Sequence, residues 1–185
     1  LWFWANTIAG MMIAFTAPLV GAYADSTGRR MPWIWAFSLL YVAMTGALWF
    51  TYPDGSTLFL VLIAFNIALI GAEFLLIFVN AILPSLGDKD EVGKISGNGA
   101  ALGYWGGVLS LFIMLLLLAE NDSGKTLAGL DPLFGLDPDA REGTRSVGPF
   151  ITLWFLLFMI PFFLWVREPR QANRTGGISD AMSDL

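Results

Sequence analysis

Cysteine and histidine are both absent from the 185 residues. Because cysteine is missing, the sequence carries no information about the redox compartment. The lack of histidine removes the most common metal ligand and the side chain that most readily transfers protons near neutral pH. The sequence also contains no nucleophile–base set and no cluster of metal ligands, so we expect no enzyme activity, no metal site and no cofactor.

Charged residues are scarce and unevenly spread. They make up 14% of the chain, whereas a soluble domain carries about 25%. Residues 1–24 and 31–53 contain no charged residue at all. Apolar runs of about 20 residues cross a hydrocarbon core roughly 30 Å thick as helices, and helices without a polar face do not suit a soluble protein. The sequence therefore predicts an all-α, polytopic helical bundle in a lipid bilayer, with no indication of nucleic-acid binding.

Hydropathy predicts five membrane-spanning segments. We expect each to be a helix, because backbone groups in lipid must be hydrogen-bonded within the segment. The predicted spans are residues 1–23, 33–52, 58–83, 95–119 and 147–166. They define a transmembrane bundle over residues 1–168. Residues 169–185 are polar and glycine-containing, which predicts a cytoplasmic tail or linker. The acidic stretch 131–142 predicts a solvated outer loop with a short re-entrant or surface helix.

Basic residues predict the orientation of the spans. If residues 25–32 lie inside, seven basic residues are on the inner side and three are on the outer side. The inner set is Arg29, Arg30, Lys89, Lys94, Arg167, Arg170 and Arg174, and the outer set is Lys125, Arg141 and Arg145. The first span then starts outside, with a leucine, so we expect a fragment that lacks an upstream helix. We expect a multi-pass protein, in the plasma (inner) membrane if the host is bacterial.

The loop between the first two spans, residues 21–30, carries the most specific pattern. Asp25 is placed to accept charge-assisted hydrogen bonds from an arginine or from a helix N-terminus. Gly28 permits a tight reversal before Arg29 and Arg30, and Gly21 permits close helix approach. The alternative interpretation is an ordinary cytoplasmic turn that follows the positive-inside rule.

This loop resembles the major facilitator superfamily signature G-x-L-A-D-R-x-G-R-R, which joins helices two and three of those transporters. The residues that match are Gly21, Ala24, Asp25, Gly28, Arg29 and Arg30, and those that depart are Tyr23 and Ser26. The resemblance implies that the acid and the arginine pair contribute to an inner gate. It also implies that the five spans are helices two to six of an N-terminal half, whose partner is a C-terminal half. That fold implies alternating access about a midplane site.

A narrower resemblance is to the vacuole effluxer-like branch of that superfamily. The segments that carry it, in order, are residues 1–6, 30–33, 80–84, 103–107 and 154–158. The resemblance implies a secondary active transporter of a small solute, with amino-acid efflux or proton coupling as its finer possibilities. The alternative is a non-transporting small membrane scaffold or assembly protein.

Glu73 is the only charged residue within the predicted spans. An ionisable group near mid-depth costs several kcal/mol unless it pairs or faces water, so Glu73 is a candidate for a substrate or proton pathway. The alternative is a protonated carboxyl that bonds a neighbouring helix. Asn66 and Asn80 lie seven residues to either side, on the same helix face. Asn6 and Tyr104 are further pathway candidates.

Gly99, Gly103 and Gly107 repeat every four residues in the fourth span. Small residues at this spacing allow two helix backbones to approach closely. The pattern therefore favours helix packing over a role in substrate binding.

Overall fold

The computed structural model describes residues 1–168, and of residues 25–27 and 89 it describes the backbone only. Within this range the regular structure is entirely helical, as the sequence predicts. The helices are α1 (Trp2–Thr27), α2 (Met31–Ala47), α3 (Leu58–Ile82), α4 (Lys89–Ile113), the single turn α5 (Glu142–Arg145) and α6 (Val147–Trp165). A π turn, Met114–Leu118, continues α4, and 3-10 turns occur at Leu48–Phe50, Leu83–Ser85 and Leu133–Gly135. The predicted tail, residues 169–185, lies outside the described residues.

Within residues 1–168, five helices are long and apolar enough to cross a membrane, the number that the sequence predicts. They are Trp2–Ala24, Met31–Phe50, Leu58–Ser85, Asp90–Leu118 and Glu142–Trp165. Each carries large apolar side chains that are exposed in this chain, such as Phe15, Leu39, Phe59, Leu102 and Leu157. Such surfaces suit lipid rather than water.

Helix α4 begins at Lys89, well before the predicted start of the fourth span at residue 95. Its first turn contains Asp90 and Glu91, and the Asp88 carbonyl accepts the first backbone bonds. Acidic side chains are favourable at a helix N-terminus because of the helix dipole. Hydropathy detects the apolar part of a helix only, so it misses this polar first turn.

Among the described residues, one compact unit comprises residues 1–41, 66–96 and 163–168. Its core is aromatic, with the Phe37 ring stacked on Phe74 at 4.8 Å and on Phe78 at 5.9 Å between centroids. Gly71 lies at this contact of α2 with α3, where a Cβ would be in ordinary van der Waals contact with the Phe37 carbonyl oxygen, at 3.5 Å. Trp35 of α2 stacks on Phe163 of α6 at 3.7 Å.

A second unit comprises residues 42–65 and 97–162. In it the end of α2 packs on the start of α6, where the Thr45 and Thr152 hydroxyls are 2.7 Å apart. Gly148 allows the backbones to meet, because a Cβ there would lie 2.5 Å from the Thr45 carbonyl oxygen and 2.8 Å from Leu48 Cβ.

Candidate functional site

The turn between α1 and α2 is built on Gly28, whose φ of 62° is left-handed. Glycine adopts this conformation without the steric penalty of a side chain, which is why helices often end at such a residue. Arg30 precedes α2 directly, and its carbonyl accepts the backbone N–H groups of Trp33 and Ile34. The tight reversal that the sequence predicts at Gly28 is therefore present.

The N-terminus of α2 is occupied by the carboxylate of Glu168, just beyond the end of α6. The Arg30 N–H donates to Glu168 Oε1 at 2.7 Å and to Oε2 at 2.9 Å. The Met31 N–H donates to Oε2 at 2.9 Å. The first N–H groups of a helix have no partner within it, and the positive end of the helix dipole favours an anion there. Glu168 therefore joins the end of α6 to the start of α2.

The Arg30 side chain extends from the same point to a third helix. Its Nη1 donates to the carbonyl oxygen of Ala81 at 2.9 Å. Ala81 is in the last turn of α3, where carbonyls lack helical partners and the dipole favours a cation. We call Arg30, Met31, Ala81 and Glu168 the helix-end junction, since they join the ends of α2, α3 and α6.

A cavity of about 580 Å³ lies beside the helix-end junction. Its lining residues are Gly28, Arg29, Met31, Pro32, Trp35, Val166, Arg167 and Glu168. The side chains of Arg29 and Arg167 are exposed, so this end of the unit presents a basic surface.

The structure brings part of the predicted gating loop into this junction. Arg30 is central to it, Arg29 lines the cavity, and Gly28 forms the turn. A Cβ on Gly21 would meet no atom within 4 Å among the described residues, so the close helix approach predicted there would require a surface from outside them. The side chain of Asp25 lies outside what the structure describes.

Glu168 was not among the residues singled out from the sequence. Its only signal is an acidic residue directly after the last apolar run, next to Arg167. The first N–H groups of a helix such as α2 favour an anionic partner, but the sequence does not indicate which acidic residue supplies it.

The predicted pathway residues differ in their exposure. Asn66 is buried, whereas Glu73 and Asn80 on the same helix are exposed in this chain. Tyr104 is 80% exposed. Asn6 is partly buried, and its Oδ1 has no hydrogen-bond partner among the described residues. The pathway role of this set stays a prediction.

The glycines of α4 do not pack against another described helix. A Cβ built on Gly99, Gly103 or Gly107 would meet nothing within 4 Å in the described part of the chain. The packing role predicted for them therefore requires a surface from outside these residues. No group of three or more His, Cys, Asp or Glu residues that would hold a metal ion occurs within residues 1–168.

Comparison with known proteins identifies a family that the chain matches. Residues 2–182 match the family described as vacuole effluxer Atg22 like. No curated protein and no solved structure matches the chain. The family match covers nearly all of the sequence and agrees with five apolar helices of membrane-spanning length. The chain thus belongs to the vacuole effluxer Atg22-like family, which makes it an integral multi-pass membrane protein of a family of small-molecule transporters.

Proposed function

We propose that the chain forms helices two to six of the N-terminal half of a major facilitator-type secondary active transporter. The proposed activity is efflux of small solutes, amino acids in particular, by alternating access. The observation that carries the proposal is the helix-end junction, in which Glu168 and Arg30 join the ends of three helices. It lies at the loop that resembles the superfamily signature, and family membership supports a transporter.

Alternating access requires each half of a transporter to move largely as one body. The helix-end junction meets this need for α2, α3 and α6, because carboxylate and guanidinium groups bridge helix ends of opposite dipole sign. Hydrogen bonds to charged groups contribute about 1.5–3 kcal/mol each when well formed, and less where water has access. Under the proposal the junction stabilises the inner end of the half, and Arg29 and Arg167 on its exposed side face the partner half.

The proposal also assigns a role to the exposed surface of α4. Gly99, Gly103, Gly107 and the exposed Tyr104 lie on a helix that has little burial in this chain. A C-terminal half that packs there would cover the glycines and place Tyr104 beside the transport path. Under the proposal the exposed Glu73 and Asn80 of α3 are candidates for the pathway of solute and protons.

Counterflow in proteoliposomes tests the transport activity. The complete protein is reconstituted in vesicles preloaded with unlabelled amino acids, and entry of labelled amino acids is measured. We expect saturable exchange for at least one amino acid, and none in vesicles that hold residues 1–185 alone. A folded, complete protein that exchanges no amino acid contradicts the proposed substrate class. A lack of exchange for every small solute tried favours the scaffold alternative.

Proton coupling is tested at Glu73. Glu73→Gln removes the ionisable group from the span, so we expect it to abolish accumulation driven by a pH gradient while counterflow exchange continues. Glu91→Gln makes the same chemical change on an exposed first turn of α4, outside the apolar run, and serves as the control. Unchanged accumulation in Glu73→Gln would leave this residue a packing role only. Membrane fractionation of host cells tests the expected location, which is the plasma (inner) membrane if the host is bacterial.

A further inference from the structure

The segment between α4 and α6, residues 119–146, has little regular structure; we call it the long loop. Its first acidic residue, Glu120, has a side chain that is 1% exposed. Glu120 accepts the Thr144 N–H at 3.0 Å and the Thr144 hydroxyl at 2.6 Å. The two ends of the long loop are therefore joined to each other.

Arg145 fixes the same end of the long loop to the α2–α3 hairpin. Its guanidinium lies 5.0 Å from the ring centroid of Trp49 and 4.4 Å from that of Tyr52. Its Nε and Nη2 donate to the Trp49 carbonyl at 3.1 and 2.8 Å. A loop held at both ends presents its remaining residues in one arrangement, with less entropy to lose on binding.

The middle of the long loop, residues 126–136, returns to the end of α4; we call it the loop tip. The Leu127 N–H donates to the Leu115 carbonyl at 2.9 Å. Leu115 lies in the π turn Met114–Leu118, at the end of a helix apolar enough to span a membrane. At about 1.5 Å per residue, Leu115 is roughly 4.5 Å below the end of that span. The backbone at Leu127 is thus at the depth of the last turn of the span.

The loop tip carries apolar side chains that contact little of the described chain. Leu127 is 66% exposed, Leu130 is 56% exposed, Leu133 is 42% exposed and Phe134 is 89% exposed. Phe134 also has a φ of 65°, which a bulky side chain rarely adopts. A strained backbone that presents a fully exposed aromatic ring indicates a specific environment for that ring.

The charged residues in and next to the loop tip favour contact with an uncharged membrane surface over contact with an anionic one. Lys125 donates to Asp131 Oδ1 at 2.6 Å, so the basic residue next to the tip is already paired. The tip itself contains no lysine or arginine. Attraction to anionic headgroups needs such residues, so apolar contact is the available mode of binding.

We propose that the loop tip is an interfacial anchor that inserts Leu127, Leu130, Leu133 and Phe134 into the near leaflet of the bilayer that the five helices span. The hydrogen bond from the Leu127 N–H to the Leu115 carbonyl ties the tip to the last turn of the α4 span. It therefore places these side chains at the level where the bilayer begins. Aromatic and leucine side chains are favoured at this boundary between headgroups and acyl chains. The anchor holds the long loop against the membrane independently of any transport activity.

Site-directed spin labelling tests the depth of the loop tip. Because residues 1–185 contain no cysteine, a single introduced cysteine is unique once any cysteine elsewhere in the complete protein has been replaced by serine. Ala128→Cys places a nitroxide in the tip and leaves its four large apolar side chains intact, and Asp139→Cys labels an exposed polar position of the same loop. Relaxation by oxygen and by a water-soluble nickel chelate is compared in vesicles of purely zwitterionic lipid.

We expect the label at residue 128 to lie about 5–10 Å below the phosphate level, with the label at residue 139 in water. Adding Phe134→Asp to Ala128→Cys should shift the label towards water, and adding anionic lipid should leave its depth unchanged. A label at residue 128 as accessible to nickel as that at residue 139 overturns the proposal. A label shielded from both reagents also overturns it, because the tip would then be covered by protein.

Discussion

The carboxylate of Glu168 lies 2.7 Å from the backbone nitrogen of Arg30, a residue 138 positions earlier in the chain. A second oxygen accepts from Met31 at 2.9 Å, so one acidic side chain satisfies the first two N–H groups at the start of α2. The contact is only partly buried, so solvent screening reduces its contribution to stability.

Removal of the Glu168 carboxylate tests the strength of the helix-end junction. Glu168→Ala leaves the N-terminus of α2 without its anion, so we expect the free energy of unfolding to fall by about 1–2 kcal/mol. Glu168→Gln should lose less, because an amide oxygen still accepts one bond. Equilibrium unfolding in mixed micelles measures both variants. Glu91→Ala also removes a carboxylate from the first turn of a helix, but at an exposed position, so it should cost less, about 0.3–1 kcal/mol, and a loss equal to that of Glu168→Ala would contradict the junction.

The Asp54–Ser56 turn gives a pH-dependent prediction outside the spans. The Ser56 hydroxyl and N–H donate to Asp54 Oδ1 at 2.7 and 2.9 Å and hold the pKa of that carboxyl below its ordinary value of 3.8. A lowered folded-state pKa means that the stabilisation is present above pH 3.8 and is lost as the pH falls through the folded value.

Ser56→Ala should therefore lower the melting temperature slightly near pH 6, and the difference from the wild type should vanish at acid pH. Thermal unfolding of the wild type and of Ser56→Ala, at a series of pH values from about pH 6 down to acid pH, measures the difference in melting temperature. A constant difference at all pH values would show that Ser56 acts independently of the Asp54 charge.

Arg145 should not tolerate lysine. Its planar guanidinium contacts two rings and donates twice to the Trp49 carbonyl, a geometry that an ammonium group does not reproduce. We expect Arg145→Lys to lower the free energy of unfolding by about 1–3 kcal/mol. Arg141→Lys is the matched control, since the Arg141 side chain is 43% exposed and its acidic partners are 3.5 Å or more away. Equal stability losses in both variants would contradict a specific role for the guanidinium of Arg145.

Gly148 is a position in the second unit at which added volume should be harmful. A Cβ there would approach the Thr45 carbonyl oxygen to 2.5 Å, so α2 and α6 must separate in Gly148→Ala. We expect a loss of about 1–3 kcal/mol in the free energy of unfolding. Gly46→Ala, on the facing helix α2, would meet only the Thr152 hydroxyl at 3.8 Å and should be neutral or stabilising by up to about 1 kcal/mol. A neutral Gly148→Ala would show that this helix contact is not close in the protein.

The sequence by itself determined the fold class and the number and approximate positions of the long helices. Residues 58–83 were predicted as a span, and α3 with its following turn covers Leu58–Ser85. This was possible because the length of an apolar run is a local property, and lipid accepts such a run only as a helix. The turn at Gly28 was predictable for the same reason, since a left-handed residue is a local requirement.

Only the tertiary structure decided which distant groups meet. Any acidic residue has the charge to occupy the N-terminus of α2, and the three-dimensional path of α6 selects Glu168. Arg145 likewise finds Trp49 at a separation of 96 residues, and Glu73 becomes exposed although its span is the most buried of the five. Helix formation depends on neighbours within one turn, whereas these contacts depend on how whole helices pack, which residue type and spacing do not specify.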